Sequence, residues 1–200
     1  MVYLAGGVVA FSVALTTVAT FVAPLLTPWL VEGLGGRFLP IPLWPMMQTI
    51  LLVVVLPLAA GMAVRPRLGR WRERVEEAAP AVASLAIVLI CAYAMAANAE
   101  RIAQVGALVL AAVVVLNAAG YAAGWGLARA YGFDARHRLT LAVEIGMQNA
   151  GLGVALALEH FAAEAALPGA LFAVWCILTA SVATSLLRRR QSAPVQGSPA

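Results

Sequence analysis

One carboxylate of this chain stands within a long apolar segment, where an acidic side chain has few ways to be stabilised. That residue is Glu144, and the other acidic residues lie in polar segments or at the ends of apolar ones. A carboxylate at membrane depth costs at least about 2.5 kcal/mol unless it is paired. The chain contains no lysine, and none of its arginines lies near the middle of an apolar segment. We therefore expect a proton or a bound cation to neutralise Glu144.

The residues after Glu144 favour a cation site. The polar and flexible residues that share its segment are Gln148, Asn149, Gly146, Gly151 and Gly153. Each glycine weakens a helix by up to about 1 kcal/mol relative to alanine, so this spacing predicts a local break that frees backbone carbonyls. Broken membrane helices bind Na⁺ through such carbonyls and through half-helix C-termini, and hard cations prefer oxygen ligands. The alternative interpretation is a glycine-rich packing site around a protonated Glu144.

A second set of oxygens lies near the beginning of the chain. Ser12, Thr16 and Thr20 are spaced four residues apart and therefore share one face of a helix. Hydroxyl side chains in membrane helices often bond to the carbonyl four residues earlier, and that habit alone explains the pattern. The other interpretation is that this face supplies ligands.

Six apolar segments must position these residues. Hydrophobic residues make up 63% of the 200 positions and charged residues 11%, with a mean hydropathy of +0.92. About 20 helical residues cross a hydrocarbon core of roughly 30 Å, and the segments long enough to do so are 8–31, 41–64, 79–98, 103–131, 137–160 and 167–187. Their apolar runs are continuous, unlike the alternating pattern of barrel strands. We predict an all-α integral membrane protein with about six transmembrane helices, the fifth of which is broken.

The basic residues indicate the orientation of these helices. All 13 are arginines. Most of them lie in alternate connections: Arg65, Arg67, Arg70, Arg72 and Arg74, then Arg129, Arg136 and Arg138, then Arg188, Arg189 and Arg190. The intervening connections hold Arg37 and Arg101. By the positive-inside rule we predict a plasma (inner) membrane protein with both chain ends in the cytoplasm, and 188–200 as a disordered tail. Nucleic-acid binding is not needed to explain the net charge of +4.

The remaining reactive residues favour no enzyme. Cys91 and Cys176 lie in apolar runs and are predicted to be buried, unbonded thiols. His137 is predicted in a basic loop and His160 at a helix end, both near the membrane surface. No nucleophile or metal-ligand cluster accompanies Glu144 within its segment. The pair Gly120 and Gly124 forms a small-xxx-small pattern, which predicts close helix packing.

The chain resembles the bile acid:sodium symporter family. The resemblance rests on EIGMQNAGLGVALA at 144–157, SVALTTVATFVAPLLTP at 12–28 and PGALFAVW at 168–175, and it covers nearly the whole sequence. It implies a fold of ten helices in two inverted five-helix repeats. In that fold 1–33 would end the first repeat, 41–187 would form the second, and this chain would be the C-terminal part, because it starts inside the family's fourth helix.

The same resemblance implies roles for individual residues. It implies two Na⁺ sites built from the side chains of Glu144, Gln148, Ser12 and Thr16 and from the carbonyls of Ile145 and Met147. Glu144 would be shared between the sites, and Asn149 would face the substrate cavity. Ile177 stands where relatives often place an asparagine after Trp-x, which weakens any transfer of substrate specificity.

These observations predict a sodium-coupled symporter of an organic anion, either bile-acid-like or a small carboxylate, embedded in membrane lipid and with no identifiable protein partner. Because ligands from earlier helices would precede Met1, we expect the 200 residues alone to be inactive in transport. The alternatives are a non-transporting structural or regulatory membrane fragment and a proton-coupled or uncoupled relative. An intramembrane enzyme that uses Glu144 as an acid or base is disfavoured.

Overall fold

The computed structural model describes residues 1–192, except for the side chains of Val105 and of 186–192. In this part of the chain it is helical and contains no strand. The α-helices are α1 (Val2–Ala5), α2 (Val9–Gly35), α3 (Leu43–Ile50), α4 (Leu56–Val64), α5 (Arg72–Ala97), α6 (Ala99–Ala130), α7 (Ala135–Met147), α8 (Ala150–His160) and α9 (Leu167–Ser192). A π-helical segment, Leu51–Val55, joins α3 to α4, and 3₁₀ turns cover Arg65–Arg67, Gly69–Trp71 and Ala163–Ala166.

Six of the described helical stretches are long and apolar enough to cross a membrane, which confirms the predicted all-α integral membrane fold. They are Val9–Gly35, Leu43–Arg67, Gly69–Ala97, Gly106–Ala130, Ala135–His160 and Ala163–Ser185. The fifth consists of α7 and α8 and is the broken one, as predicted. The last helix continues to Ser192, so it includes 188–192, the first residues of the segment predicted to be a disordered tail. Three of these five residues are arginines, which are good helix formers. The rest of that predicted tail, 193–200, lies outside the described residues.

The third span begins earlier than predicted. α5 starts at Arg72, several residues before the predicted start at 79, and passes through Pro80 without ending. In its first turns Arg72 and Glu76, which are four residues apart, form an ion pair with 2.8 Å between Nε and Oε1. Glu73 stands in the first turn, where a negative charge favours helix formation. These charges favour a helical start within the connection between the second and third predicted spans.

The second span changes its winding at its centre. α3 is followed by the π-helical Leu51–Val55 and then by α4, which has Pro57 among its first residues. Proline has no N–H group and clashes with the carbonyl four residues earlier, here that of Val53. The wider π turn accommodates that interruption without ending the span.

The core lies around the two halves of the broken span. α8 packs on α5 and α9 through a cluster that includes Cys91, Val154 and Ala170, and on α3 through Met46 and Leu156. The two cysteines, Cys91 and Cys176, are both buried and free of disulfides, as predicted from their apolar surroundings.

The hairpin of α6 and α7 explains the predicted glycine pair. A Cβ on Gly120 would lie 2.9 Å from the carbonyl oxygen of Ile145, and a Cβ on Gly124 would lie 2.6 Å from that of Leu141. Both distances are too short for a side chain, so the two backbones are in direct contact. The prediction that this pattern packs two helices is confirmed, and the partner helix is the one that carries Glu144.

Candidate functional site

The broken span is interrupted at Gln148 and Asn149. α7 ends at Met147 and α8 begins at Ala150. Gln148 has φ of 50° and is, among residues 1–192, the one residue other than glycine with a positive φ. The backbone N–H groups of Gln148 and Asn149 make no backbone hydrogen bond to α7, so the helical ladder stops before them.

The glycines are not where the chain unwinds, and this part of the prediction is wrong. Gly146 lies within α7, and Gly151 and Gly153 lie within α8. Gly146 is required for packing instead, because a Cβ there would lie 2.6 Å from the ring of Tyr121. Gly153 faces open space, since no described atom outside its own stretch of helix backbone lies within 4 Å of its Cβ position.

Two asparagine side chains satisfy backbone groups at the break. Asn149 Oδ1 accepts a hydrogen bond from Leu152 N–H at 3.1 Å and so caps α8. Asn117 of α6 donates from Nδ2 to the carbonyl of Gly146 at 2.9 Å. Side-chain groups therefore replace helical hydrogen bonds on both sides of the interruption.

Glu144 contacts the hydroxyl face of α2. Ser12 Oγ donates to Glu144 Oε1, and Thr16 Oγ1 donates to Glu144 Oε2 at 2.8 Å. Thr16 Oγ1 also lies 3.0 Å from the carbonyl oxygen of Ser12. Thr17 and Thr20 bond to the carbonyl one turn earlier, each at 2.7 Å. Among the described residues Glu144 forms no ion pair. The structure thus brings together Ser12, Thr16 and Glu144, as the resemblance implies.

A second contact between α2 and α7 fixes their register. Val8 N–H donates to Thr140 Oγ1 at 2.8 Å, and one helical turn further along both helices Ser12 meets Glu144. The two helices therefore run in the same direction. Thr140 is fully buried, and its hydroxyl also donates to the carbonyl of Arg136 at 2.8 Å. Sequence reasoning missed Thr140, although its position one turn before Glu144 was a usable signal.

The first turn of α7, at the end predicted to face the cytoplasm, also contacts the residues at and just before the start of α2. Arg136 Nε donates to the carbonyl of Gly6 at 3.1 Å, and the ring of Phe11 stacks edge-on against His137 at 5.2 Å between centroids. Asp134 caps the helix through the backbone N–H of His137 at 2.9 Å. This bond, together with one from the His137 ring, holds the pKa of Asp134 below its ordinary value.

Two cavities border Glu144. The first, here called the threonine cavity, has a volume of about 370 Å³ and is lined by Thr16, Thr20, Thr27, Glu144, Gln148 and Asn149 together with apolar side chains. The second, of about 310 Å³, is lined by Ser12 and also by Glu144 and Gln148. Gln148 is exposed and has no hydrogen-bond partner among the described residues. Its amide therefore remains available beside both cavities.

The donor set suits a hard monovalent cation. It comprises one carboxylate, the hydroxyls of Ser12 and Thr16, and an amide oxygen from Gln148, all of which are oxygen ligands. The carbonyls of Ile145 and Met147 belong to the last turn of α7, where carbonyls lack partners within the helix and where the helix dipole is negative. Cation binding by these residues stays a prediction.

Comparison with known proteins identifies relatives along most of the chain. The model of the Sodium Bile acid symporter family matches residues 1–105, which include Ser12 and Thr16 but not the break. An uncharacterized sodium-dependent transporter, YocS, of Bacillus subtilis (strain 168) is 36% identical over 182 residues, covering 91% of this chain and 57% of the relative. A probable chloroplastic sodium/metabolite cotransporter, BASS1, of Arabidopsis thaliana is 33% identical over 195 residues, covering 97% of this chain and 48% of the relative.

The BASS1 of Oryza sativa subsp. japonica is 35% identical over 159 residues, covering 80% of this chain and 39% of the relative. The chain thus spans about half the length of the curated relatives it matches. An alignment over 97% of the chain leaves out only a few residues and so contains both the hydroxyl face of α2 and the break at Gln148. Together with the matching family model, these similarities show that the chain belongs to the sodium bile acid symporter family.

Proposed function

We propose that this chain forms the cation-binding and part of the substrate-binding region of a sodium-coupled symporter of an organic anion. The observation that carries the proposal is the convergence of Ser12 and Thr16 on Glu144, beside a helix break. The names of its relatives, a sodium-dependent transporter and sodium/metabolite cotransporters, support sodium as the coupling ion.

The cation is proposed to bind at two positions that share Glu144. One Na⁺ would take oxygens from Glu144 and Gln148 and from the carbonyls of Ile145 and Met147. The other would take the hydroxyl oxygens of Ser12 and Thr16 with Glu144. A hydroxyl oxygen that now donates its hydrogen to the carboxylate can turn a lone pair toward a cation. A bound cation also removes the cost of an unpaired carboxylate at membrane depth.

The anion is proposed to bind in the threonine cavity. α8 begins at the break, and the positive end of its dipole favours a negative group there. Asn149 uses Oδ1 to cap α8, so its NH₂ group is the part left to donate to a substrate carboxylate. The cation-favouring end of α7 and the anion-favouring start of α8 are separated by Gln148 and Asn149 alone.

This arrangement supplies a physical reason for coupling. An ionised Glu144 lines the same cavity as Asn149 and would repel an incoming anion, since unit charges at such short range interact strongly in a medium of low dielectric. A bound Na⁺ neutralises that charge. Each ligand therefore raises the affinity of the cavity for the other.

Proteoliposomes test the proposal. We expect uptake of an organic anion by the whole transporter to require a Na⁺ gradient and to be lost in Glu144→Gln, which keeps the shape of the side chain and removes its charge. Uptake that continues in choline with an imposed pH gradient would favour the proton-coupled alternative. Na⁺ binding without any uptake would favour the alternative of a non-transporting structural or regulatory membrane protein. The expected inactivity of the 200 residues alone is tested by measuring their uptake and their Na⁺ binding separately.

The orientation is likewise proposed from the arginines. Arg70 lies in the 3₁₀ turn before α5 and Arg136 in the first turn of α7, on the side predicted to face the cytoplasm. Arg101, in the first turn of α6, is placed on the opposite side of the membrane by the same rule. Single cysteines placed by Arg70→Cys and Arg101→Cys, in a background without Cys91 and Cys176, would be labelled from opposite sides of sealed vesicles. Labelling of both from one side would contradict the topology.

A further inference from the structure

Asn117 lies at the meeting point of three helices and does not line either of the two cavities described beside Glu144. It is 2% exposed and stands on α6. Its Nδ2 donates to the carbonyl of Gly146 on α7 at 2.9 Å. Thr179 Oγ1 of α9 lies 3.1 Å from its Oδ1 and equally far from the carbonyl oxygens of Trp175 and Cys176 in its own helix. One buried amide thus connects the end of α7 to α9.

The bond to Gly146 substitutes for a helical bond. In an uninterrupted helix the carbonyl of Gly146 would accept from the N–H of Ala150, four residues later. Since α7 ends at Met147, that carbonyl needs another donor, because a buried polar group without a partner is costly. Asn117 supplies an amide N–H, the same kind of donor that the backbone would have provided.

The carbonyl cannot easily turn elsewhere, because the backbone around it is closely packed. A Cβ on Gly120 would lie 3.1 Å from the Cα of Gly146, and a Cβ on Gly146 would lie 2.6 Å from the ring of Tyr121. Asn117 therefore engages one carbonyl of the last turn of α7. The carbonyls on either side, those of Ile145 and Met147, are the two proposed as Na⁺ ligands.

We propose that Asn117 is a positioning residue for the cation site: it holds the Gly146 carbonyl so that α7 stays broken and the carbonyls of Ile145 and Met147 remain available to Na⁺. In this proposal the Thr179 hydroxyl hydrogen points to Oδ1 rather than to the carbonyls of Trp175 or Cys176, which leaves Nδ2 directed at Gly146. This inference rests on the proposed function, since it concerns the same cation.

A substitution at Asn117 has a matched control in Asn98. Asn98 is equally buried, at 2% exposed, and also donates from Nδ2 to backbone carbonyls, those of Ala94 at 2.7 Å and Ala163 at 3.0 Å. It lies between α5 and α6, away from the break. Asn98→Leu and Asn117→Leu therefore remove the same chemistry at comparable burial.

The test measures the Na⁺ dissociation constant of the purified transporter by direct binding of radioactive sodium, and its unfolding temperature in choline without Na⁺. Removing a group that orients metal ligands typically weakens metal binding 10- to 100-fold, so we expect Asn117→Leu to raise the Na⁺ dissociation constant about tenfold or more. Asn98→Leu is expected to lower the unfolding temperature and leave the dissociation constant within about twofold of the wild type, because its bonds lie outside the last turn of α7.

Thr179 provides a second route if Asn117→Leu does not fold. Thr179→Val removes the hydroxyl and is expected to weaken Na⁺ binding, whereas Thr179→Ser retains the hydroxyl and is expected to bind as the wild type does. Unchanged Na⁺ affinity in both Asn117→Leu and Thr179→Val, with affinity lost in Glu144→Gln, would overturn this inference alone. Unchanged affinity in Glu144→Gln would overturn the proposed function and this inference with it.

Discussion

Ser12 donates a hydrogen bond to Glu144 one helical turn beyond the point where Val8 N–H donates to Thr140. The two contacts have the same spacing on α2 and on α7, so the helices are parallel and in a defined register. A shift of either helix by one residue would rotate Ser12 away from the carboxylate, because successive residues of a helix point in different directions. The cation site proposed for this protein therefore depends on a contact outside it.

Thr140→Val is expected to weaken both stability and Na⁺ binding. It removes the acceptor of Val8 N–H, a part-buried bond that ends on the fully buried Thr140, and a donor left unpaired away from water costs about 1–3 kcal/mol. Thermal unfolding and Na⁺ binding of the purified protein measure the two effects. Thr140→Ser keeps the hydroxyl and should restore most of the Na⁺ affinity.

Thr184→Val is the control for that substitution, since Thr184 is also buried but donates within its own helix, to the carbonyl of Ser181 at 3.0 Å. We expect it to leave the Na⁺ affinity unchanged. Equal Na⁺ affinities in Thr140→Val and the wild type would show that the register contact does not support the site.

The hydroxyls of α2 should divide into two classes. Thr16→Val removes a hydroxyl that contacts Glu144, and we expect it to raise the Na⁺ concentration for half-maximal uptake by about tenfold, in the range seen when groups around a metal are removed. Thr17→Val removes a hydroxyl whose one partner in the described part of the chain is the carbonyl of Val13, and it should leave that concentration unchanged. The same shift in both variants would indicate a general effect on α2 rather than a ligand role.

Two glycines of α6 should respond oppositely to alanine. At Gly124 a Cβ would lie 2.6 Å from the carbonyl oxygen of Leu141, so we expect Gly124→Ala to destabilise the protein by about 1–3 kcal/mol through overpacking. At Gly126 no atom of the described residues, apart from the neighbouring backbone of α6, lies within 4 Å of the Cβ position, and alanine there should be neutral or stabilising by up to about 1 kcal/mol. Reversible unfolding in detergent measures the free energy of unfolding of both variants. Equal changes in Gly124→Ala and Gly126→Ala would contradict the close contact between α6 and α7.

Gln148 should show opposite effects on stability and on binding. Its φ of 50° with ψ of 177° is a conformation that glycine adopts easily and other residues adopt at a cost of about 1–3 kcal/mol. Gln148→Gly is therefore expected to raise the unfolding temperature while it lowers the Na⁺ affinity, because the amide oxygen is lost. Gln148→Asn keeps an amide on a shorter side chain and separates the two effects. A fall in unfolding temperature in Gln148→Gly would show that the backbone there is not strained.

Much of the architecture could be predicted from the sequence because its signals are local and large. Long apolar runs indicate six membrane helices, and Glu144 is conspicuous as an acidic residue within one of them. Ser12 and Thr16 are four residues apart, and this local spacing places both hydroxyls on one helical face. Gly120 and Gly124 likewise indicate close packing, although their spacing does not tell which helix they meet.

The break shows where such reasoning stops. The glycines predicted an interruption in the right span, yet Gly146, Gly151 and Gly153 are all helical and the chain unwinds at Gln148 and Asn149. An interruption needs replacement partners for the backbone groups it exposes. One of these, Asn117, comes from another helix, and a pattern within the fifth span cannot reveal it.

By itself, the sequence determined that this is a helical membrane protein and that one carboxylate within it requires a counter-charge, because hydrophobic length and the cost of an unpaired charge are properties of a single segment. Only the tertiary structure decided that Ser12 and Thr16 meet Glu144, that Thr140 sets the register of α2 against α7, and that Asn117 engages the carbonyl of Gly146. These contacts join residues far apart in the chain. They depend on how the helices pack against one another, which local patterns do not encode.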